Sequence, residues 1–98
     1  MKHTINLTLQ QIEDLEAIRV DLATRGDKAY GKASKKAWAA GANRAKARDT
    51  MASNVRHVWL ETAQQQEAES DELNAEGDRL MNRAAVLHSI ISQIKKNG

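Results

Sequence analysis

Apolar residues near the start of the chain recur every three to four positions, as Leu9, Ile12, Leu15, Ile18 and Leu22. That spacing puts them on one face of an α-helix. Thr8 followed by Gln11 is a capping-box pair, in which the threonine oxygen accepts from the backbone three residues on and the glutamine side chain reaches back. A helix over 9–24 is predicted. Residues 4–9 alternate polar and apolar, but a lone strand is barely stable, so residues 1–8 are expected to form an extended arm. Gly26 suits a left-handed stop and Asp27 a new cap, which makes the next helix an antiparallel neighbour.

From residue 28 onward no proline interrupts the chain, and Tyr30, Ala33, Ala37, Gly41, Ala45, Met51, Ala52, Val55, Trp59 and Ala63 gather on one side at helical spacing. One long helix over 28–67 is predicted, with a break near 49–50 as the alternative, where Thr50 can cap a new helix. The small residues at every fourth position of its first half let another helix approach closely. The competing reading is that this stretch buries too little to order without a partner.

A polar stretch then leads to Ser70, Asp71 and Glu72, a sequence suited to a helix start, and a turn is expected at 68–70. Beyond it Leu73, Gly77, Leu80, Ala84, Leu87, Ile91 and Ile94 alternate steps of four and three, the heptad seam of a coiled-coil helix over 71–95. A helix of about 40 residues is about 60 Å long, which matches helices of about 16 and 25 residues laid end to end. The expected fold is therefore all-α, an elongated antiparallel hairpin or bundle of about three helices around one long central helix. So thin a rod leaves a face of every helix open, and Leu73, Leu80, Ala84, Leu87, Ile91 and Ile94 are the candidate seam for self-association.

Charge changes this picture because it is segregated. The chain of 98 residues carries a net +2. Residues 25–57 hold nine basic side chains against two acidic ones, whereas residues 58–78 hold seven acidic ones and no Lys or Arg. In the three-helix arrangement Glu13, Glu16 and Asp21 fall near Lys36, Lys32 and Lys28. The acidic block, Glu61, Glu67, Glu69, Asp71, Glu72, Glu76 and Asp78, instead gathers at a tip around the second turn, with no cation block beside it. Such a tip suits a basic protein surface, and by imitating a phosphate backbone it suits a nucleic-acid-binding protein in particular. The alternative is a nucleic-acid-binding stripe of Lys28, Lys32, Lys35, Lys36, Arg44, Lys46 and Arg48. Arg44 and Arg48 lie on the side otherwise held by small and apolar residues, so they require an acidic partner.

Chemistry of other kinds finds little footing. There is no cysteine, hence no disulfide or thiolate site, which fits a reducing, cytoplasmic setting. His3, His57 and His88 are dispersed, with no metal-ligand spacing; His57 and Glu61, four apart, read as a surface pair. The five glycines form no phosphate loop and the serines no nucleophile motif. Glu13, Asp14 and Glu16 interrupt any secretory or membrane-spanning stretch near the start. The expectation is one small, non-enzymatic helical domain without cofactor, metal, small-molecule substrate or membrane contact, which self-associates and binds a protein or nucleic-acid partner. Tyr30 and Trp38 are expected to pack on helix one, and Trp59 to lie in the core.

Overall fold

A computed structural model describes residues 8–97 as two α-helices, α1 (Leu9–Asp49) and α2 (Ser53–Asn97), joined by Thr50, Met51 and Ala52. They fold back on each other as an antiparallel hairpin measuring 71 × 25 × 14 Å. The all-α, elongated class is as expected; the number of helices is two, not three. The arm expected over 1–8 lies outside the described residues except for Thr8.

Thr8 starts α1 in the manner the sequence suggests. Its hydroxyl accepts from the Gln11 backbone N–H at 3.2 Å, and the Gln11 side chain accepts from the Thr8 N–H at 2.9 Å. The stop expected at Gly26 is absent, because that glycine is helical and buried in the interface. A Cβ there would lie 2.8 Å from Met81 Sδ, and one at Gly77 would lie 2.6 Å from the Tyr30 ring. Both glycines admit the facing side chain; neither turns the chain.

The turn expected at 68–70 is likewise absent. Ser70 is a buried residue inside α2, and its hydroxyl donates to the Ala33 carbonyl oxygen at 2.9 Å. The chain reverses instead at the alternative position, although Thr50 closes α1 rather than opening a helix. Its N–H donates to the Ala47 oxygen at 3.3 Å and its hydroxyl to the Lys46 oxygen at 2.6 Å. The Arg56 guanidinium then donates twice to the Thr50 oxygen, at 3.2 and 2.8 Å, tying the first turns of α2 to the end of α1. Carbonyls left unpaired at a helix end are thereby satisfied, and Lys46 and Arg48 in the last turn favour the negative end of the helix dipole.

One continuous seam explains why neither helix breaks. In α1 one run of buried or half-buried positions is Leu15, Arg19, Leu22, Gly26, Ala29, Ala33, Lys36, Ala40, Asn43 and Ala47, with other half-buried residues such as Ala23, Tyr30 and Arg44 flanking it. In α2 the facing run is Trp59, Ala63, Gln66, Ser70, Leu73, Gly77, Leu80, Ala84, Leu87, Ile91 and Ile94, flanked by Leu60, Glu67 and Met81 among others. Both alternate steps of four and three, as knobs-into-holes packing requires. The heptad pattern from Leu73 onward therefore extends upstream through the polar stretch. Those seam residues pack on α1 of the same chain, with Leu22, Leu80 and Ala84 forming a cluster that Ala23 and Leu87 flank.

Candidate interaction faces

Residues seven apart share a flank of such a seam, so the hairpin has two broad faces with different chemistry. One face is stitched across the helices. The Tyr30 hydroxyl donates to the Asp78 carboxylate at 2.6 Å, and Lys95 donates to Glu16 at 2.9 Å. Arg44 donates twice to Glu67, both bonds at 2.7 Å, the planar fork geometry that makes arginine–carboxylate pairs strong. The hydrogen bonds from Lys95 and Arg44 hold the Glu16 and Glu67 carboxyls below the ordinary value of 4.5. The bond to Asp78 raises the Tyr30 hydroxyl above 10.0, because ionisation would abolish the donor.

The opposite face is open. Near the free end Ile18, Leu22, Asn82, Arg83, Val86 and Leu87 line a groove of about 400 Å³. Ile18 is 51% exposed and Val86 59%. Ile90 lies one helical turn beyond Val86, and is 38% exposed. Seven-residue steps from Ile18 lead to Arg25 and Lys32, and steps back from Arg83 and Val86 lead to Glu76 and Arg79. Lys28, Lys32, Lys35, Arg79 and Arg83 are exposed and have no carboxylate within 4.0 Å among the described residues. Further toward the turn the face becomes acidic, at Glu69, Glu72 and Glu76. Lys36 donates to Glu69 at 2.7 Å, which lowers the Glu69 carboxyl below 4.5.

These positions revise the charge map drawn from the sequence. Glu61, Glu67, Glu69, Asp71, Glu72, Glu76 and Asp78 form no tip, since α2 runs straight through them and they lie midway along the rod beside the basic half of α1. Glu67, Glu69 and Asp78 are engaged by Arg44, Lys36 and Tyr30, and Glu61 by His57 at 2.8 Å. Asp71, Glu72 and Glu76 remain exposed with no cation within 4.0 Å among the described residues. Glu13, Glu16 and Asp21 are not near Lys36, Lys32 and Lys28; Glu16 meets Lys95 and Arg19, and Asp21 meets Arg25 at 3.8 Å. The basic stripe is split as well. Lys36 and Arg44 are paired, Arg44 and Arg48 sit on the stitched side, and Lys46 Nζ lies 4.9 Å from the Trp59 ring centroid.

The sequence did not associate Arg79 and Arg83 with the basic stripe. Their signal was the heptad itself, which sets them on the same flank as Arg25 and Lys32 once α2 is folded against α1. Trp59 is half-buried, and Tyr30 fills the space over Gly77. Trp38 does not pack on another helix: it is 79% exposed on the outer side of α1. Among the described residues there is no group of three or more His, Cys, Asp or Glu that could hold a metal ion. No described helix is long and apolar enough to cross a membrane. Comparison with models of known protein families, with curated proteins and with solved structures finds no match to this chain.

Proposed function

We propose that this chain is a non-enzymatic helical interaction protein that receives a protein partner on its open face. The observation that carries the reading is the groove between Ile18 and Val86, where apolar side chains stay accessible on a hairpin only 14 Å thick. An apolar strip between two helices accepts a third amphipathic helix, whose burial of the strip supplies the affinity. The cations around it, Lys28, Arg79 and Arg83, then favour a segment bearing carboxylates. Self-association and the acidic surface at Asp71, Glu72 and Glu76 are not needed for this binding.

A second reading, nucleic-acid binding, is favoured by one observation: α2 adds Arg79 and Arg83 to the face that carries Lys28, Lys32 and Lys35. Phosphate binding would engage those cations and leave the apolar groove unused. A photo-crosslinking residue at Asn82, which lines the groove, separates the two in cells expressing the full chain. A protein adduct from Asn82, and none from the exposed Ala85 on the stitched side of α2, is the expected result. A nuclease-sensitive adduct, or no adduct, would overturn the protein-binding reading.

A further inference from the structure

The outer side of α1, away from α2, carries two large apolar residues with nothing over them, Val20 at 51% and Trp38 at 79% exposed. They lie eighteen residues apart, five full turns, so they share one line along the helix. Between and beyond them the line carries small exposed residues, Ala17, Thr24, Gly31, Ser34 and Gly41, with the charged Asp27 among them. A Cβ at Gly31 or Gly41 would meet nothing within 4 Å, so close packing inside the hairpin does not account for these two glycines as it does for Gly26 and Gly77. Charge along the same helix is polarised. Its first half holds Glu13, Asp14, Glu16, Asp21 and Asp27 against Arg19, Arg25 and Lys28, and its second half Lys32, Lys35, Lys36, Arg44, Lys46 and Arg48 against Asp49 alone.

We propose that this outer face of α1 pairs with the same face of a second copy of the chain, the two α1 helices running antiparallel about a two-fold axis. In that arrangement a single choice, Val20 of one copy against Trp38 of the other, fixes all other neighbours. Ala17 falls opposite Gly41, Thr24 opposite Ser34, and Asp27 opposite Gly31, so every level pair contains at least one small residue and the backbones come close. Asp21 falls beside Lys35. Glu13 comes within one helical turn of Arg48, at a cleft of about 660 Å³ lined by Gly41, Arg44, Ala47, Arg48, Arg56 and Leu60. Arg48 is exposed there and has no carboxylate within 4.0 Å among the described residues. Lys28 alone meets its own copy near the axis, and there the exposed Asp27 of each chain stands next to it.

The symmetry makes each contact occur twice, as an isologous interface requires. A parallel pairing of the same faces would set acidic half on acidic half and basic on basic, and the sign pattern disfavours it. The second copy occupies a face distinct from the groove at Ile18 and Val86. Lys28 borders both surfaces, but the inference does not rest on the proposed partner binding.

Native mass of the purified full chain, by sedimentation at about 50 μM, well above a micromolar dissociation constant, tests it. The expected mass is twice 10.9 kDa. Trp38→Ser, which removes an exposed side chain, should give the monomer mass with helicity unchanged by circular dichroism. Two charge variants provide the sharper arm. Chain one carries Glu13→Lys and Asp21→Lys; chain two carries Lys35→Glu and Arg48→Glu. Each alone has one sign at both ends of the pairing and should be monomeric, and an equimolar mixture should recover a mixed dimer. A native chain that sediments as a monomer overturns the proposal. So does a dimer that survives Trp38→Ser, or two folded variants that fail to associate on mixing. A monomer that still yields the Asn82 protein adduct would sink the second copy while leaving the partner reading in place.

Discussion

The hairpin is closed by different means in its two halves. Toward the free ends Leu22, Leu80, Ala84, Leu87 and Ile91 fill the seam with aliphatic bulk, and the apolar cluster lies wholly there. Toward the turn the buried positions are Ala33, Ala40, Ala47, Ala63 and Ser70, which remove little apolar surface from water. That half is held by polar contacts instead: Asn43 to Gln66 at 2.8 Å, Arg44 to Glu67, Lys36 to Glu69, and Ser70 to Ala33. Apolar burial is non-directional, so it stabilises without choosing a register. Hydrogen-bonded pairs in a seam contribute less net energy and fix which residues lie level. One half therefore supplies most of the free energy and the other most of the alignment.

Removing bulk from the free-end half should have the largest effect. Leu80→Ala empties a position 6% exposed and should destabilise the chain by about 2–3 kcal/mol, the lower part of the range for such truncations because a two-helix seam can collapse around the gap. A thermal melt reads this as a drop of roughly 10 °C or more at this chain length. A loss no greater than that of an exposed alanine substitution would mean that the aliphatic half does not dominate. Gly77→Ala, where the two halves meet, should cost less. The new methyl must displace the Tyr30 ring and its bond to Asp78, an overpacking loss partly offset by better helix propensity, leaving about 1 kcal/mol. Gly26→Ala should cost still less, since the Met81 thioether it meets is flexible. Equal losses at the two glycines would show that the ring is not a rigid obstacle.

The two halves also differ in how well the sequence announces them. The capping box at Thr8 and Gln11, the all-helical class and the seam from Leu73 to Ile94 are all legible, because each rests on local chemistry or on repeated large aliphatics. The junction of the halves and the turn half mislead for a physical reason. Gly26–Asp27 and Ser70–Asp71 have the composition of helix ends, and nothing local distinguishes a glycine that stops a helix from one that admits Met81. The decisive signal is continuity: steps of four and three pass unbroken through Leu22, Gly26, Ala29 and Ala33, and again through Ala63, Gln66, Ser70 and Leu73. Small and polar residues hide that period from a search for hydrophobic repeats. The same error moved the acidic block to a tip, although the need of Arg44 for an acidic partner was readable and Glu67 meets it. The open face could not be assembled beforehand, since Arg83 joins Arg25 and Lys32 only through the pairing of α1 with α2.

Acid should separate the halves with the smallest perturbation. Glu67 and Glu69, held below the ordinary value of 4.5 by Arg44 and Lys36, both belong to the turn half, whereas Glu16, lowered by Lys95 and Arg19, belongs to the free-end half. A carboxyl depressed in the folded state contributes its stability in full above its unfolded value, and loses it as pH falls through the folded value. Each contribution is modest, since all three groups are solvent-accessible. Between about pH 6 and pH 3 the turn half should therefore loosen first, because little apolar burial remains there once its ion pairs are protonated. Amide exchange resolved by residue, corrected for the intrinsic rate at each pH, should show protection at Ala40 and Ala63 falling before that at Leu80 and Ile91. Arg44→Gln should shrink this difference by taking the Glu67 contribution away at every pH. If protection falls together along both helices, the hairpin opens as one cooperative unit and the division of labour between its halves does not extend to their stability.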